Sequence, residues 1–307
     1  MNLRVTVVGA GVIGLTTAVV LERAGHEVTV VAKDKGFATT SAAAGAVWLP
    51  YRVGPPNRAL VWARRTRDEL TRIARSCPEA GVDMIEALLV ADVDTPPWWA
   101  PAVDDLALVT SVRAFASNRV WKMLVPRCDP TVYLGWLESH LTRPIMRRHV
   151  EELESLEGDI IVHCSGVGAR TLARDPELVA NLGQTVVVAG GSLDPSLMLS
   201  DDRDPQAMFY AIPRRNEVVL GGCAIPVDAR DAPPPDPALA EAIVERCRRS
   251  GFDPGAVLYT RTGLRPVRRE VRLEREGRVV HNYGHGGAGY TLSWACAEDV
   301  AELAARG

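Results

Sequence analysis

Continuous apolar runs separated by glycine turns organise the N-terminal part of the chain. Leu3–Val8 is a run rich in β-branched residues, typical of a strand buried on both faces. Residues 15–24 have helical character and stop at Gly25. Val28–Val31 is a second apolar strand. The pattern therefore predicts a βαβ unit at the start of the chain.

The rest of the chain changes from helical periodicity to strand-like alternation and back again. A strand ending in a glycine turn is predicted at 159–168. Helices are predicted at 57–75, 133–141, 238–250 and 291–305, and antiparallel strands at 184–189, 207–212 and 217–222. These patterns favour a mixed α/β fold in which a second domain is inserted into a discontinuous first one. The predicted first domain comprises 1–50, 141–180 and 257–307, and the second comprises 51–140 and 181–256.

Composition excludes several classes of protein. The 307 residues carry a formal net charge of −3, which gives no support for a nucleic-acid or anionic-membrane partner. The six cysteines are widely spaced and form no CxxC or Cys/His cluster, so no metal site is expected. No apolar run reaches the roughly 18 residues of a membrane helix, and no secretory leader is evident. We therefore expect a cytoplasmic protein with reduced thiols.

A glycine-rich turn follows the first predicted strand. Gly9, Gly11 and Gly14 have GxGxxG spacing between a strand and a helix, the context that this fingerprint requires. Gly9 allows the tight turn, Gly11 allows close approach of a pyrophosphate, and Gly14 allows the helix to pack on the strand. Val12 and Ile13 then lie at the helix N-terminus, which favours anions. The motif predicts a dinucleotide site; the alternative is a tight turn without a ligand.

The acidic residue that usually holds the adenosine ribose is displaced in this chain. It is expected at the end of the second strand, about 20 residues after the third glycine. Ala32 and Lys33 occupy that place, and Asp34 follows. Either Asp34 binds the ribose or Lys33 makes a different adenosine contact; a solvated loop charge is the other interpretation of Asp34.

Three separated segments favour FAD over NAD, because FAD is held along its whole length. Small and hydroxyl-bearing residues let a backbone lie flat against an extended cofactor and donate to its phosphates. The predicted segments contain Thr39, Thr40, Ser41, Gly45 and Ala46; Cys164, Ser165 and Gly166; and Gly286, Gly287, Gly289 and Tyr290.

Several longer motifs match one known family. They include Val7–Leu15, Thr39–Tyr51, Val162–Gly168, Gly263-Leu-Arg-Pro-Val-Arg268 and Val280-His-Asn-Tyr-Gly-His-Gly-Gly287. With these motifs the chain resembles, nearly end to end, the D-amino-acid oxidases, flavoenzymes that include D-aspartate oxidases. The resemblance implies a Rossmann-like FAD domain, non-covalent FAD, and a substrate domain built on a mixed, largely antiparallel sheet.

The resemblance also implies roles for individual residues. Arg265 would hold the substrate α-carboxylate with two hydrogen bonds, and the hydroxyl of Tyr210 would contact the same carboxylate. The carbonyl of Gly287 would accept from the substrate amine. Val47 would lie near the flavin ring, and Thr291 would bond to its pyrimidine edge. Tyr51 and Ile212 complete the implied substrate set, and Val150 completes the implied cofactor set.

The implied reaction is oxidative deamination of a D-amino acid. Hydride would pass from Cα to N5 of FAD, oxygen would accept the electrons, and the products would be a 2-oxo acid, ammonia and hydrogen peroxide. Leu49 favours apolar side chains, whereas Gln206, where familiar members carry a tyrosine in a longer lid loop, indicates a more open site. A homodimer is compatible with the sequence, which does not determine the oligomeric state.

Other activities remain open at this level. Arg214 and Arg215 would bind a side-chain carboxylate in a D-aspartate oxidase, but a hairpin turn with solvated charges is the favoured interpretation. A glycine or secondary-amine oxidase has the same cofactor needs. A different class is an FAD protein without turnover, or a dehydrogenase that uses another electron acceptor.

Overall fold

A single 14-stranded mixed sheet forms the framework of the protein. The structure is a computed structural model that describes residues 2–110, 119–204 and 207–306. The strands in these residues are β1 Arg4–Ala10, β2 Glu27–Lys35, β3 Val82–Val90, β4 Ala107–Thr110, β5 Arg119–Cys128, β6 Met146–Arg147, β7 Ile160–His163, β8 Val179–Ala189, β9 Leu197–Asp201, β10 Phe209–Arg214, β11 Glu217–Gly221, β12 Ile225–Val227, β13 Val257–Glu276 and β14 Val279–His285. Their order is β4-β5-β3-β9-β10-β11-β8-β13-β14-β7-β1-β2-β6, and β12 pairs with β8 beside this path.

Helices cover the sheet. Within the described residues they are α1 Val12–Arg23, α2 Pro56–Ser76, α3 Pro130–Ser139, α4 Ala169–Leu172, α5 Pro237–Arg249 and α6 Gly289–Ala305. None of these helices is both long and apolar enough to cross a bilayer.

The N-terminal apolar runs form the parallel part of the sheet. Strand β1 pairs in parallel with β2 on one side and with β7 on the other, and β7 pairs in parallel with β14. On β1, Val7 packs into the core beneath α1 and α6, whereas Val8 belongs to a cluster on the opposite face. Burial on both faces explains why this strand has no polar alternation.

The middle of the chain forms the antiparallel part. Strands β8, β11, β10 and β9 are consecutive antiparallel neighbours, and α5 packs on them. Strand β13 joins the two parts: Val257–Val267 pairs with β8, and Arg272–Glu276 pairs with β14. The predicted mixed α/β class is confirmed, while the predicted division into two domains stays a prediction.

A buried chain of polar groups connects β7 and β14. Nδ1 of His163 lies 3.2 Å from Nδ1 of His281, and Nε2 of His163 lies 2.7 Å from Oγ of Ser165. Nε2 of His281 lies 3.2 Å from a carboxylate oxygen of Glu276. Because a carboxylate only accepts, His281 donates to Glu276, His163 donates to His281, and Ser165 donates to His163. The hydroxyl proton of Ser165 is thereby committed to the protein.

Acid should destabilise this protein steeply, because its buried histidines are held neutral. Burial lowers the pKa of His163 and of His285 to about 3, and also lowers the pKa of His281. Between pH 6.5 and pH 3 the unfolded chain therefore binds more protons, so the stabilisation present above pH 6.5 is lost as the pH falls. Each histidine contributes a slope of up to about 1.4 kcal/mol per pH unit. Urea unfolding at pH 7.5, 6.0 and 5.0 measures the slope.

Two variants test whether buried histidines cause the pH dependence of the free energy of unfolding. His163→Gln removes one of these titrations and should flatten the pH dependence, whereas His149→Gln, which changes an exposed histidine, should leave it unaltered. Equal pH dependence in both variants and the original protein would contradict the assignment.

Candidate active site

One cavity brings together the residues predicted to bind substrate. It is lined by Tyr51, Tyr210, Ile212, Arg265 and Gly287. Tyr210 and Ile212 lie two residues apart on β10, Arg265 lies on β13, and Gly287 lies in the turn between β14 and α6. The fold therefore gathers at one place residues that are far apart in the sequence.

Arg265 extends across a glycine of the neighbouring strand. Its Nη1 donates to the carbonyl of Cys223 at 2.8 Å. A Cβ on Gly183 of β8 would lie only 2.5 Å from the same nitrogen. Glycine at 183 thus makes room for the guanidinium, whose five N–H donors exceed the one taken by Cys223. The arrangement is suited to binding an anion.

Tyr210 is accommodated in the same way on β11. The register pairs it with Gly221, and a Cβ there would lie 2.1 Å from Cζ of the ring. Burial raises the pKa of the Tyr210 phenol, while the charge of Arg265 opposes that rise. The hydroxyl is therefore protonated at neutral pH and is available as a donor.

Tyr51 lies against Gly287. A Cβ on Gly287 would lie 3.0 Å from Cδ1 of the tyrosine ring. The Tyr51 hydroxyl donates to the sulfur of Met208 at 2.9 Å, and burial raises the pKa of its phenol. Gly287 is thereby confined between an aromatic ring and the stem of Arg265, with Cδ of Arg265 3.8 Å from the same Cβ position.

Strand β9 supplies a wall that was not predicted. Met198, Ser200 and Asp202 follow one face of β9 and its end, and all three line the cavity. Leu49 and Met208 add apolar surface. The sequence pattern did not reveal this wall because β9 was not recognised as a strand. Gln206 lies outside the described residues.

Backbone atoms pack closely against two glycines of the GxGxxG turn. Gly9 has φ +115°, and a Cβ on it would lie 2.3 Å from the carbonyl oxygen of Cys164. A Cβ on Gly14 would lie 1.9 Å from the carbonyl oxygen of Gly9. The amide of Val12 donates to Oγ of Ser41 at 2.9 Å. Helix α1 otherwise begins without a side-chain cap and without an acidic residue in its first turn.

Side chains of the sheet hold the small-residue segment by its carbonyls. Arg261 donates to the carbonyl of residue 42 at 3.2 Å, Thr185 donates to that of residue 43 at 3.4 Å, and Arg214 donates to that of residue 44. Gly45, which a Cβ would bring within 2.4 Å of Cδ1 of Ile212, lies directly on β10. Residues 44–47 also line the cavity. The sheet therefore fixes the position of one cavity wall.

Arg214 and Arg215 lie away from the cavity lining. Arg214 is only 4% exposed and is committed to the carbonyl of residue 44. Arg215 lies at the β10–β11 turn with φ 30°, and its Nε is 3.9 Å from Asp129. Neither arginine is placed to bind a side-chain carboxylate in the cavity.

The segment before α6 closes the cavity from the other side. Gly286 has φ +55°, and its amide donates to the carbonyl of Pro266 at 2.9 Å. The Tyr290 hydroxyl donates to the carbonyl of Ser41 at 3.0 Å. Oγ1 of Thr291 donates to the carbonyl of Leu49 at 2.9 Å.

Comparison with known proteins identifies the family. The chain is 41% identical to a D-amino-acid oxidase of Rubrobacter xylanophilus, covering 98% of this chain and 95% of that protein. It is 39% identical to a D-amino-acid oxidase of Streptomyces coelicolor, covering 98% and 96%. Residues 4–303 match the DAO family of FAD-dependent oxidoreductases. The chain belongs to the D-amino-acid oxidase family.

A solved structure supports the fold of this D-amino-acid oxidase family member. Glycine oxidase from Geobacillus kaustophilus superimposes with a TM-score of 0.77 and covers 99% of this chain and 95% of its own. At 17% identity, this likeness concerns the fold alone. The predicted family and the predicted cofactor, FAD, are both confirmed.

The structure of this family member has the chemistry that FAD requires. Helices α1 and α6 pack together and both begin without a side-chain cap or an acidic residue in the first turn. A Cβ on Gly289 would lie 3.4 Å from Cγ1 of Val12, so the two helix starts adjoin. Two adjoining positive helix ends favour the pyrophosphate and the electron-rich flavin carbonyls. We expect the first turn of α1 to hold the pyrophosphate and the first turn of α6 to lie at the flavin.

Some hydroxyls predicted to bind FAD are engaged within the protein. Thr39 donates to the carbonyl of Gly36 at 2.8 Å, and Thr40 donates to that of Leu264 at 3.2 Å. Thr291 is bonded to Leu49 through both the carbonyl and the amide of that residue. For these residues the backbone, more than the hydroxyl, is left to face a cofactor, and their roles stay predictions.

Lys33, one of the two residues predicted to contact the adenosine of FAD, forms an ion pair within the protein. Nζ of Lys33 lies 2.6 Å from a carboxylate oxygen of Asp231, while Asp34 is half-buried near the end of β2. Val150 packs with Val8 and Val31 in the small core cluster behind the parallel strands. The cofactor roles of Lys33, Asp34 and Val150 stay predictions.

Proposed function

We propose that the protein oxidises D-amino acids to 2-oxo acids, ammonia and hydrogen peroxide, with FAD as cofactor and oxygen as electron acceptor. The observation that carries the proposal is the convergence of Arg265, Tyr210 and Gly287 on one cavity bordered by residues 44–47. A guanidinium, a phenolic donor and a backbone carbonyl match the carboxylate and the amine of an amino acid. The names of the relatives agree with this substrate class.

Arg265 and Tyr210 would fix the carboxylate end of the substrate. The guanidinium provides a pair of parallel N–H donors, and the protonated phenol adds a third donor. The carbonyl of Gly287 would accept from the amine and so fix the second end. With both ends fixed and the side chain directed to the remaining wall, only one enantiomer directs its Cα–H towards the 44–47 side of the cavity.

The protein's own contribution is orientation and exclusion of water. When bound, FAD supplies the acceptor for the Cα hydride. Burial raises the pKa of Tyr51, of Tyr210 and of the Cys223 thiol, so these cavity groups remain protonated and none is a base. Asp202, the carboxylate that lines the cavity, lies at its exposed mouth. We therefore expect the substrate amine to arrive neutral, and water completes the reaction by hydrolysing the resulting imino acid.

Apolar side chains fit the wall of the cavity best. Leu49, Met198, Met208 and Ile212 present apolar surface. Among the described residues that line the cavity, Arg265 is the single cation, so a second, side-chain carboxylate would lack a partner. This supports neutral D-amino acids over D-aspartate.

Peroxide release tests the proposal. FAD-loaded protein should release peroxide with D-alanine and D-methionine, more slowly with D-aspartate, and not with their L-enantiomers. An absence of peroxide with every D-amino acid would overturn the proposal. Bleaching of the flavin by D-alanine without air, with no peroxide on readmission of oxygen, would instead indicate a dehydrogenase.

A further inference from the structure

The cavity wall formed by β9, towards which the substrate side chain would point, ends at the carboxylate of Asp202. Met198, Ser200 and Asp202 occupy alternate positions on one edge of the cavity. Met198 is 2% exposed and Ser200 is 8% exposed, whereas Asp202 is exposed. The wall therefore runs from a buried apolar interior to a charged mouth.

Strand register places Asp202 relative to the carboxylate-binding end. Ser200 is the cross-strand neighbour of Tyr210. Asp202 lies two residues further, about 6.6 Å along the strand at about 3.3 Å per residue. A long side chain on a ligand held at Tyr210 and Arg265 would therefore extend along this wall towards Asp202.

The carboxylate of Asp202 has no cation bonded to it in the described part of the chain. Arg203, its neighbour, instead donates to Asp201 and Asp92. The cation that lines the same cavity is Arg265; Arg52 is not part of the lining, and its guanidinium lies 5.2 Å from the centre of the Tyr51 ring. Asp202 is thus a negative group at the mouth that a ligand can meet.

We propose that Asp202 is a specificity-determining residue that extends the substrate range to D-amino acids with a long cationic side chain, such as D-lysine. This inference rests on the proposed function and names a substrate class for the same cavity. Four methylene groups would contact the apolar interior, and the terminal ammonium would meet Asp202. The same carboxylate would repel the side chains of D-glutamate and D-aspartate.

The test compares substrates that differ only in the terminal charge. The values of kcat/KM are measured for D-lysine and D-norleucine, which share an unbranched stem, and the ratio of the two is compared between variants. Asp202→Asn should lower the D-lysine to D-norleucine ratio about fivefold, the upper end of the effect of one exposed charge pair. The control Asp228→Asn removes the same charge from an exposed side chain outside the cavity lining and should leave the ratio unchanged.

Binding without turnover gives a second measurement. 6-Aminohexanoate has a carboxylate and a distal ammonium but no α-amine, and hexanoate lacks the ammonium. Perturbation of flavin absorbance should give tighter binding of 6-aminohexanoate than of hexanoate, and Asp202→Asn should remove that difference.

The outcomes separate this inference from the proposed function. A ratio that changes less than twofold in Asp202→Asn, in protein that oxidises D-norleucine, would overturn the role of Asp202 and leave the oxidase activity standing. An absence of oxidation of every D-amino acid by FAD-loaded protein would overturn both.

Discussion

Arg265→Met is expected to lower kcat/KM for D-alanine about a thousandfold while FAD remains bound. Loss of one partner of a desolvated, hydrogen-bonded charge pair costs about 2–5 kcal/mol, and about 4 kcal/mol corresponds to this factor. Methionine keeps an unbranched apolar stem but removes the guanidinium that passes Gly183, and with it every donor. Stopped-flow reduction of the flavin together with steady-state kinetics would measure the loss.

Two further variants make the result specific. Arg269→Met changes an exposed arginine on the same strand, outside the cavity lining, and should stay within twofold of the original enzyme. Arg265→Lys restores the charge without the planar pair of donors and should recover only part of the loss. A decrease of less than tenfold in Arg265→Met would show that another group holds the carboxylate.

Gly14→Ala is expected to abolish FAD binding. The added Cβ would lie 1.9 Å from the carbonyl oxygen of Gly9, and both partners are backbone, so the turn between β1 and α1 must open. Overpacking of this kind costs about 1–3 kcal/mol in the free energy of unfolding. The purified variant should be colourless, its Kd for FAD should rise at least about a hundredfold, and urea unfolding should show the lower stability of the apoprotein.

The control is a glycine with no such constraint. Gly135 lies exposed in α3, and no atom approaches its Cβ position within 4 Å. Gly135→Ala should keep full FAD content and stabilise the protein by about 0.5–1 kcal/mol, because alanine is the better helix former. Retention of FAD by Gly14→Ala at the level of this control would refute the prediction.

Local signals made the nucleotide-binding end predictable. Strand β1, the glycine turn, α1 and β2 follow each other within a short stretch, and each is encoded by its own residues. The antiparallel strands β8, β10 and β11 were also predicted, because their apolar runs are bounded by turn residues.

The longest strand was not predicted, because its polar residues find partners only after folding. Arg268 of β13 pairs with Asp175 at 2.9 Å, and Arg275 donates to the carbonyl of Leu303 at 3.0 Å. Pro266, which argues against a central strand, lies near the point where β13 shifts register between Val267 and Arg272. A pattern read along the chain cannot anticipate such partners.

Candidate site residues that belong to a sequence motif could be predicted. Residues whose role depends on a side chain from an adjacent strand could not. The resemblance directed attention to Arg265 and Tyr210. Gly183 and Gly221 carry no motif, and their importance is visible only in the side chains that cross them. The β9 wall with Asp202 likewise follows from strand pairing, which joins it to β10.

Strand β13 also has a mechanical consequence. Arg265 belongs to the stretch that pairs with β8, and the next residue, Pro266, accepts the amide of Gly286 at 2.9 Å. Any hinge that separated Arg265 from the turn at Gly287 would have to break this hydrogen-bonded backbone. The spacing between the guanidinium proposed to anchor the substrate carboxylate and the carbonyl proposed to accept from its amine is therefore constant. Every amino acid would then be positioned by its carboxylate and amine, and substrates would be distinguished only by the length and charge of their side chains.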